Sequence, residues 1–465
     1  MNRGIIYNVR LYEFATDYSN LRFVDMKRFL FSVLAAVFAV PSCFAEDFEV
    51  QGMTLTVNVG DPLPINPLFL IDPPEVVTVK AEKYDRLAVF NEKGAEYNRA
   101  TKLRQAQAQE CPTAFAIDPK SIVVREKADS NSLVYEAGKD YRVEEKWGCV
   151  GRLPEGRIGE NQPVFIDYSF CKMRIDSLVF TDNSIYLKKG VSHVTTPAPP
   201  KIAEGETRLC NVWVTAWTKE LTNENVFPVL EEKYPEMKKE KPSVAEKLIP
   251  KTMAKLNTGQ TVNILAWGDS VTDAGYLPNP STDRWQEQFV RRLREKYPKA
   301  EIVLTTEAWG GRNSNTYRNE PPGSPKNYKE KVLDRKPDLV VMEFVNDAGM
   351  HGEYLDKRYG EILADFRGNS KAAGIEWVIL TPHYVRGDWM GLKSEKNIDD
   401  DPRPYVKSVR EFCAKNNVAL ADASKRYGRL WRQGIPYSTL MMNNINHPNP
   451  FGMSLFADAL MELFP

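Results

Sequence analysis

The chain has 465 residues, of which 42% are hydrophobic and 27% charged, and its 62 Lys plus Arg balance 62 Asp plus Glu. A zero formal charge with no concentrated basic face gives no general attraction to nucleic acid or to anionic membrane, so neither is expected as a partner. The length exceeds one ordinary core and predicts at least two domains.

In chain order, the first signal is Met26-Lys27-Arg28 followed by the apolar run Phe29 to Val40 and by Pro41-Ser42-Cys43-Phe44-Ala45. A short basic start, an apolar stretch of limited length and small residues before a cut form the pattern of a signal peptide. It predicts cleavage after Ala45 and export to a periplasmic or extracellular site, with Met26 as the true start and residues 1–25 an upstream segment. A signal anchor is the competing reading. The run is shorter than a spanning helix needs, and no other apolar stretch reaches about 18 residues, so no membrane span is expected.

Export bears on the cysteines. Cys43 leaves with the signal, and Cys111, Cys149, Cys171 and Cys210 form an even set in the N-terminal half. An even set in an oxidising compartment predicts one or two disulfides there. Cys413 lies in a helical pattern and reads as a buried thiol. No C-x-x-C or His/Cys spacing suggests zinc, so neither metal nor cofactor is expected.

Residues 46–217 read as an all-β, sandwich-like domain. Met53 to Val59 alternates with period two, and Val76–Val79, Ser121–Val124, Leu133–Tyr135, Val164–Phe170, Ser177–Phe180 and Asn211–Trp217 are further short runs. Glycan binding is one role such a module could serve. Residues 218–260 are rich in Glu, Lys and Pro and read as a charged linker with short helices at Val244–Leu248 and Thr252–Leu256.

From 261 to 465, strands and helices alternate. The apolar runs Val262–Trp267, Ile302–Thr306, Leu339–Phe344, Trp377–Thr381 and Val418–Ala421 suit a parallel sheet covered on both faces. Amphipathic stretches Trp285–Tyr297, Tyr354–Ala373, Tyr405–Asn416 and Pro450–Leu463 lie between and after them. This order predicts a doubly wound α/β/α sandwich, in which functional groups gather beyond the carboxyl ends of the strands.

Four blocks fall at that edge. They are Gly268-Asp269-Ser270, Gly310-Gly311-Arg312-Asn313-Ser314-Asn315-Thr316-Tyr317, Val345-Asn346-Asp347, and Asn443-Asn444-Ile445-Asn446-His447. A serine there can act as a nucleophile if a base reaches it and donors stabilise the oxyanion. His447 can reach the edge from its loop. The Ser270 and Gly311 backbone N–H groups and the Asn346 side-chain amide are the available donors. Asp269 reads as a turn residue, Asp347 as structural and Asp422 as a turn or cap residue. His383 reads as a surface-loop histidine with a cleft position as the alternative. Trp377, Trp389 and Trp431 could stack on sugars or pack in the core.

In their order and content, the four blocks resemble the Ser, Gly, Asn and His blocks of the SGNH (GDSL-like) hydrolases, over roughly 261–465. The second block is similar to that of rhamnogalacturonan acetylesterase-like members. The resemblance implies a flavodoxin-like α/β/α fold and acyl-ester hydrolysis, with acetylated carbohydrate as the favoured substrate and lipid or aryl esters as the alternative. It assigns Ser270 as nucleophile, His447 as general base, and Ser270, Gly311 and Asn346 as oxyanion donors. It also exposes a departure: the family acid stands three residues before the histidine, where this chain has Asn444. An amide can hold the imidazole but brings no charge, and in a serine protease the Asp-to-Asn change costs about 10⁴ in rate. A Ser–His dyad, Asn444 as histidine orienter, a distant carboxylate and an inactive, glycan-binding domain all remain open.

Overall fold

Period-two alternation builds the N-terminal unit. The computed structural model describes residues 48–58, 67–181, 184–368 and 374–465. The expected signal segment and its cleavage point lie outside these. The described chain divides into two units, Met1–Lys233 with Trp431–Pro436, and Tyr234–Leu430 with Tyr437–Pro465.

Among the described strands of the first unit every ladder is antiparallel. Phe48–Gln51, Thr54–Val57 and Leu68–Leu70 form one sheet, in which Leu55 and Val57 point inward while the threonines between them stay half-buried. They share a core with the sheet ordered Ser184–Lys188, Arg174–Thr181, Thr207–Val214, Val226–Pro228, through Leu178, Val212 and Val214. A second core, around Val79, Ile166, Tyr141 and Val150, joins the sheet of Glu75–Tyr84, Val164–Lys172 and Val123–Arg125 to the hairpin Tyr141–Glu144/Cys149–Arg152. Leu133–Tyr135, expected as a strand, makes only an isolated bridge from Val134 to Arg125.

The expected disulfides do not form. Cys111, Cys149, Cys171, Cys210 and Cys413 are all buried thiols outside any disulfide. Cys210 packs in the core with Leu178 and Val212, and burial pushes the Cys149 thiol up to about 11. Burial raises the Cys171, Cys210 and Cys413 thiols as well, and the buried cysteines serve as small side chains rather than as cross-links.

The second unit begins with Val244–Leu248 and Pro250–Thr258; Ser243 and Glu246 form a capping box on the first of these helices. Its sheet has five parallel strands: Val262–Gly268, Ile302–Ala308, Leu339–Glu343, Glu376–Leu380 and Ala419–Ala421. Numbered in chain order they lie 2-1-3-4-5, the flavodoxin-like doubly wound order. Successive strand residues face opposite ways. Leu265, Trp267, Val340, Met342, Trp377 and Ile379 therefore pack on Tyr359 and Phe366 of the helix Gly352–Gly368 and on Tyr405 and Phe412 of Pro404–Asn416. The residues between them, Ile264, Ala266, Val341 and Val378, are buried on the other face. Covering on both faces is why these strands read as unbroken apolar runs. No helix among the described residues is long and apolar enough to cross a membrane.

Strand order reverses between the first and third strands, which opens a crevice at their carboxyl ends. Ser270 follows the first of these strands and Asn346 the third.

Candidate active site

The turn that carries Ser270 is built by exclusion. A Cβ on Gly268 would lie 2.1 Å from Thr272 Oγ1 and 2.3 Å from the Glu343 carbonyl oxygen, so only glycine lets the strand end this close to its neighbour. The chain then bends sharply into the short helix Ser270–Asp273. Asp269 caps it, with Oδ1 accepting from Val271 N–H at 3.0 Å.

Asp269 does more than the sequence reading allowed. Its Oδ2 accepts both from the Asn346 backbone N–H, at 2.9 Å, and from the Asn346 side-chain amide, at 2.8 Å. One amide hydrogen of Asn346 is thereby fixed, which leaves the other for a second acceptor. The second block sits close by. Trp309 N–H donates to the Gly268 carbonyl at 3.1 Å, and Arg312 N–H to the Trp309 carbonyl at 3.2 Å. Gly311 occupies the tight turn between them with φ +69°, a region glycine enters without strain, and open space surrounds it. A Cβ on Gly310 would lie 3.6 Å from that of Ser270, so the turn lies against the Ser270 side chain.

His447 arrives from the loop before the last helix, Pro450–Glu462. Asn443 shapes this loop: its Oδ1 accepts from the backbone N–H groups of Ile445, Asn446 and His447 at 2.9, 2.9 and 3.0 Å. Met442 N–H closes it on the His447 carbonyl at 2.7 Å. The result places His447 Nε2 3.2 Å from Ser270 Oγ. This is hydrogen-bond reach across 177 residues of chain.

Asn444 has φ +55° and sends its Oδ1 to Arg386 Nη1 at 3.1 Å. No motif in the sequence singles out Arg386. It lies in the loop after the fourth strand, and its backbone N–H also donates to the Ile445 carbonyl at 2.7 Å. A cation, not an anion, therefore stands beside the amide at the family's acid position.

Beneath the site lie three fully buried carboxyls, Asp269, Glu343 and Asp347. Burial raises all three above the usual carboxylate range, and repulsion from Asp269 adds to the rise at Glu343. Asp347, pushed up to about 6, accepts from Ser314 N–H and Oγ and from Tyr359 Oη, which ties the second and third blocks together. Glu343 accepts from Thr272 Oγ1 at 3.2 Å.

Other sequence candidates fall elsewhere. His383 is neither on the surface nor in a cleft. It is fully buried among Tyr427 and Phe456, and burial, with Arg403 nearby, holds it well below the usual histidine range. Asp422 pairs with Arg410 at 2.9 Å and accepts from Thr381 Oγ1 at 3.1 Å. Trp377 and Trp431 are buried, whereas Trp389 is 53% exposed. Among the described residues no group of three or more His, Cys, Asp or Glu is arranged to hold a metal ion.

This geometry can be set beside known proteins. Residues 266–455 match the sequence model of the GDSL-like Lipase/Acylhydrolase family. The matched span, which makes up most of the C-terminal unit, is thus similar to a GDSL-like acylhydrolase domain. Ser270, Gly311, Asn346 and His447 all lie within the matched span. No curated protein matches the chain. Among solved structures, a two-domain esterase (CEX) active on acetylated mannans is 16% identical, with a TM-score of 0.37 over 46% of this chain and 52% of that one. The chain thus spans about half the length of that esterase. A mutant of Axe2, an acetylxylan esterase from Geobacillus stearothermophilus, is 20% identical, with a TM-score of 0.34 over 45% of this chain and 96% of that one. BT4096, a gut microbial diltiazem-metabolizing enzyme, is 18% identical, with a TM-score of 0.31 over 44% and 47%.

Proposed function

We propose that this protein is an exported serine esterase that removes acyl groups, chiefly acetyl, from carbohydrate. The observation that carries the reading is His447 Nε2 at 3.2 Å from Ser270 Oγ, at the carboxyl edge of a GDSL-like acylhydrolase domain. Ser270 Oγ attacks the ester carbonyl and its proton passes to His447 Nε2. The sugar alcohol leaves with that proton as the carbonyl re-forms on the acyl-serine. A water then attacks, His447 takes its proton, and the acid departs as Ser270 recovers its hydrogen. The Ser270 and Gly311 N–H groups and the second amide hydrogen of Asn346 would hold the oxyanion, a role worth about 10²–10³ in kcat per donor. Asn444 would act on His447 as a neutral neighbour, its own oxygen shared with Arg386.

A sugar substrate is supported by the second block and by what flanks it. Arg312 stacks over Trp309 at 5.1 Å. Trp389 is exposed in the short helix Gly387–Met390, which follows Arg386, the residue tied to the histidine loop. Aromatic faces of this kind suit the apolar faces of sugar rings. Export rests on the signal-like segment ending at Ala45.

The test compares p-nitrophenyl acetate, p-nitrophenyl palmitate and an acetylated polysaccharide, with acetate release as the readout. The reading expects turnover of the acetyl ester and the polysaccharide and little of the palmitate. Preference for palmitate would move the substrate to lipid. Glycan binding without turnover of any ester would move the protein to the binding class.

A further inference from the structure

The nucleophile turn meets the histidine loop at a second place. Tyr276, six residues after Ser270, lays its ring flat on that of His447, with centroids 4.3 Å apart and 3° between the planes. A cation over an aromatic face within about 6 Å is attracted by the ring's quadrupole. His447 becomes such a cation when it takes the serine proton.

Position 444 offers an amide, and the group bonded to that amide is the Arg386 guanidinium. The field of His383 also reaches His447, but burial and Arg403 keep His383 neutral. On the nucleophile's side, Asp269, Glu343 and Asp273 act on Tyr276. Together with burial they hold its phenol well above the usual tyrosine range, so the ring facing His447 is uncharged. The hydroxyl is not what ties Tyr276 down: Oη is buried with no hydrogen-bond partner. The ring face is the part of the side chain that meets the histidine.

We propose that Tyr276 is a positioning residue whose ring face stabilises the imidazolium of His447, doing part of the work that a carboxylate at position 444 would do. The proposal rests on the esterase reading for its consequence in catalysis, but the stack itself can be tested without turnover. In full-length Ser270→Ala protein, the His447 C2–H resonance is followed through a pH titration and assigned by its loss in His447→Gln. Adding Tyr276→Leu lowers the midpoint by about half to one pH unit, the size expected for a partly desolvated cation–π contact. Tyr276→Phe, which keeps the face, keeps the midpoint. Tyr276→Met replaces the leucine variant if that variant does not fold.

With Ser270 present, the acid limb of kcat/KM on p-nitrophenyl acetate moves to lower pH in Tyr276→Leu, and kcat on the plateau falls about 3–10-fold. Tyr276→Phe restores the limb. A folded leucine or methionine variant with an unmoved midpoint overturns the proposal, as does a phenylalanine variant that shifts as far as leucine. If the unmutated protein turns over no ester, the esterase reading fails, while the titration still decides whether the stack acts on His447.

Discussion

Buried carboxylates are handled in opposite ways in two regions of this molecule. In the N-terminal unit, Asp176 sits 2.7 Å from Arg174 with both side chains at most 2% exposed, and Asp140 receives Arg157 through Nε at 3.0 Å. The Arg157 hydrogen bond holds Asp140 far below the usual range. Under the nucleophile turn, Asp269, Glu343 and Asp347 instead meet backbone N–H groups, hydroxyls and one amide, with no cation among their described partners. The difference belongs to the site rather than to the unit, because Asp401, in the same C-terminal unit, is paired with Arg403 in the ordinary way. A structural carboxylate is paired with charge. These three are spent on orienting neutral donors, which fits the clustering of perturbed groups at functional sites.

The comparison can be broken at its strongest point first. Asp176→Ala leaves Arg174 buried and unpaired, so stability should fall by about 3–5 kcal/mol in denaturant unfolding, with kcat on p-nitrophenyl acetate unchanged in the folded fraction. A loss under 1 kcal/mol would mean that the pair is not structural in this sense. Asp269→Ala should do the reverse. It frees the Asn346 amide, and kcat should drop about 10²-fold, near 2.7 kcal/mol in the barrier, with KM little changed. A change in KM alone would place Asp269 in substrate binding rather than in orientation of a donor.

The smallest effect is one of sign. Asp347 is raised from the ordinary 3.8 to about 6, so its contribution to stability is complete below about pH 3.8 and is lost as pH rises through 6. Asp140 is lowered, so its contribution is present above 3.8 and lost as pH falls. Between pH 4 and 7, Asp347→Asn should flatten the fall in Tm with rising pH. Below pH 4, Asp140→Asn should flatten the loss on acidification. Identical slopes for the two variants would contradict the contrast between the regions.

Much of the C-terminal unit was legible because its signals are local. A parallel strand buried on both faces is a short apolar run, and each functional block directly follows such a run or precedes the last helix. Ser270, Gly311, Asn346 and His447 could therefore be singled out as candidates by position. What escaped depends on which way side chains point across distant contacts. Nothing in Gly275-Tyr276-Leu277 announces a ring laid on His447, and nothing near Arg386 announces its bond to Asn444. Asp269 was read as a turn residue because its cap on Val271 is local, whereas its grip on Asn346 spans 77 positions. In the N-terminal half, Val226–Pro228 looks like linker because it is three residues long and ends in proline, yet it pairs with Thr207–Val214 at a sheet edge, where proline is tolerated. The even cysteine count pointed to cross-links, but those side chains are buried thiols outside any disulfide.

The central claim is that Ser270 is a nucleophile activated by His447. The most direct test is to label the full-length protein with a fluorophosphonate serine probe and read the intact mass. The account predicts one adduct on the unmutated protein, none on Ser270→Ala and a strongly slowed reaction on His447→Gln. An equal adduct on Ser270→Ala, or none on the unmutated protein, would contradict it.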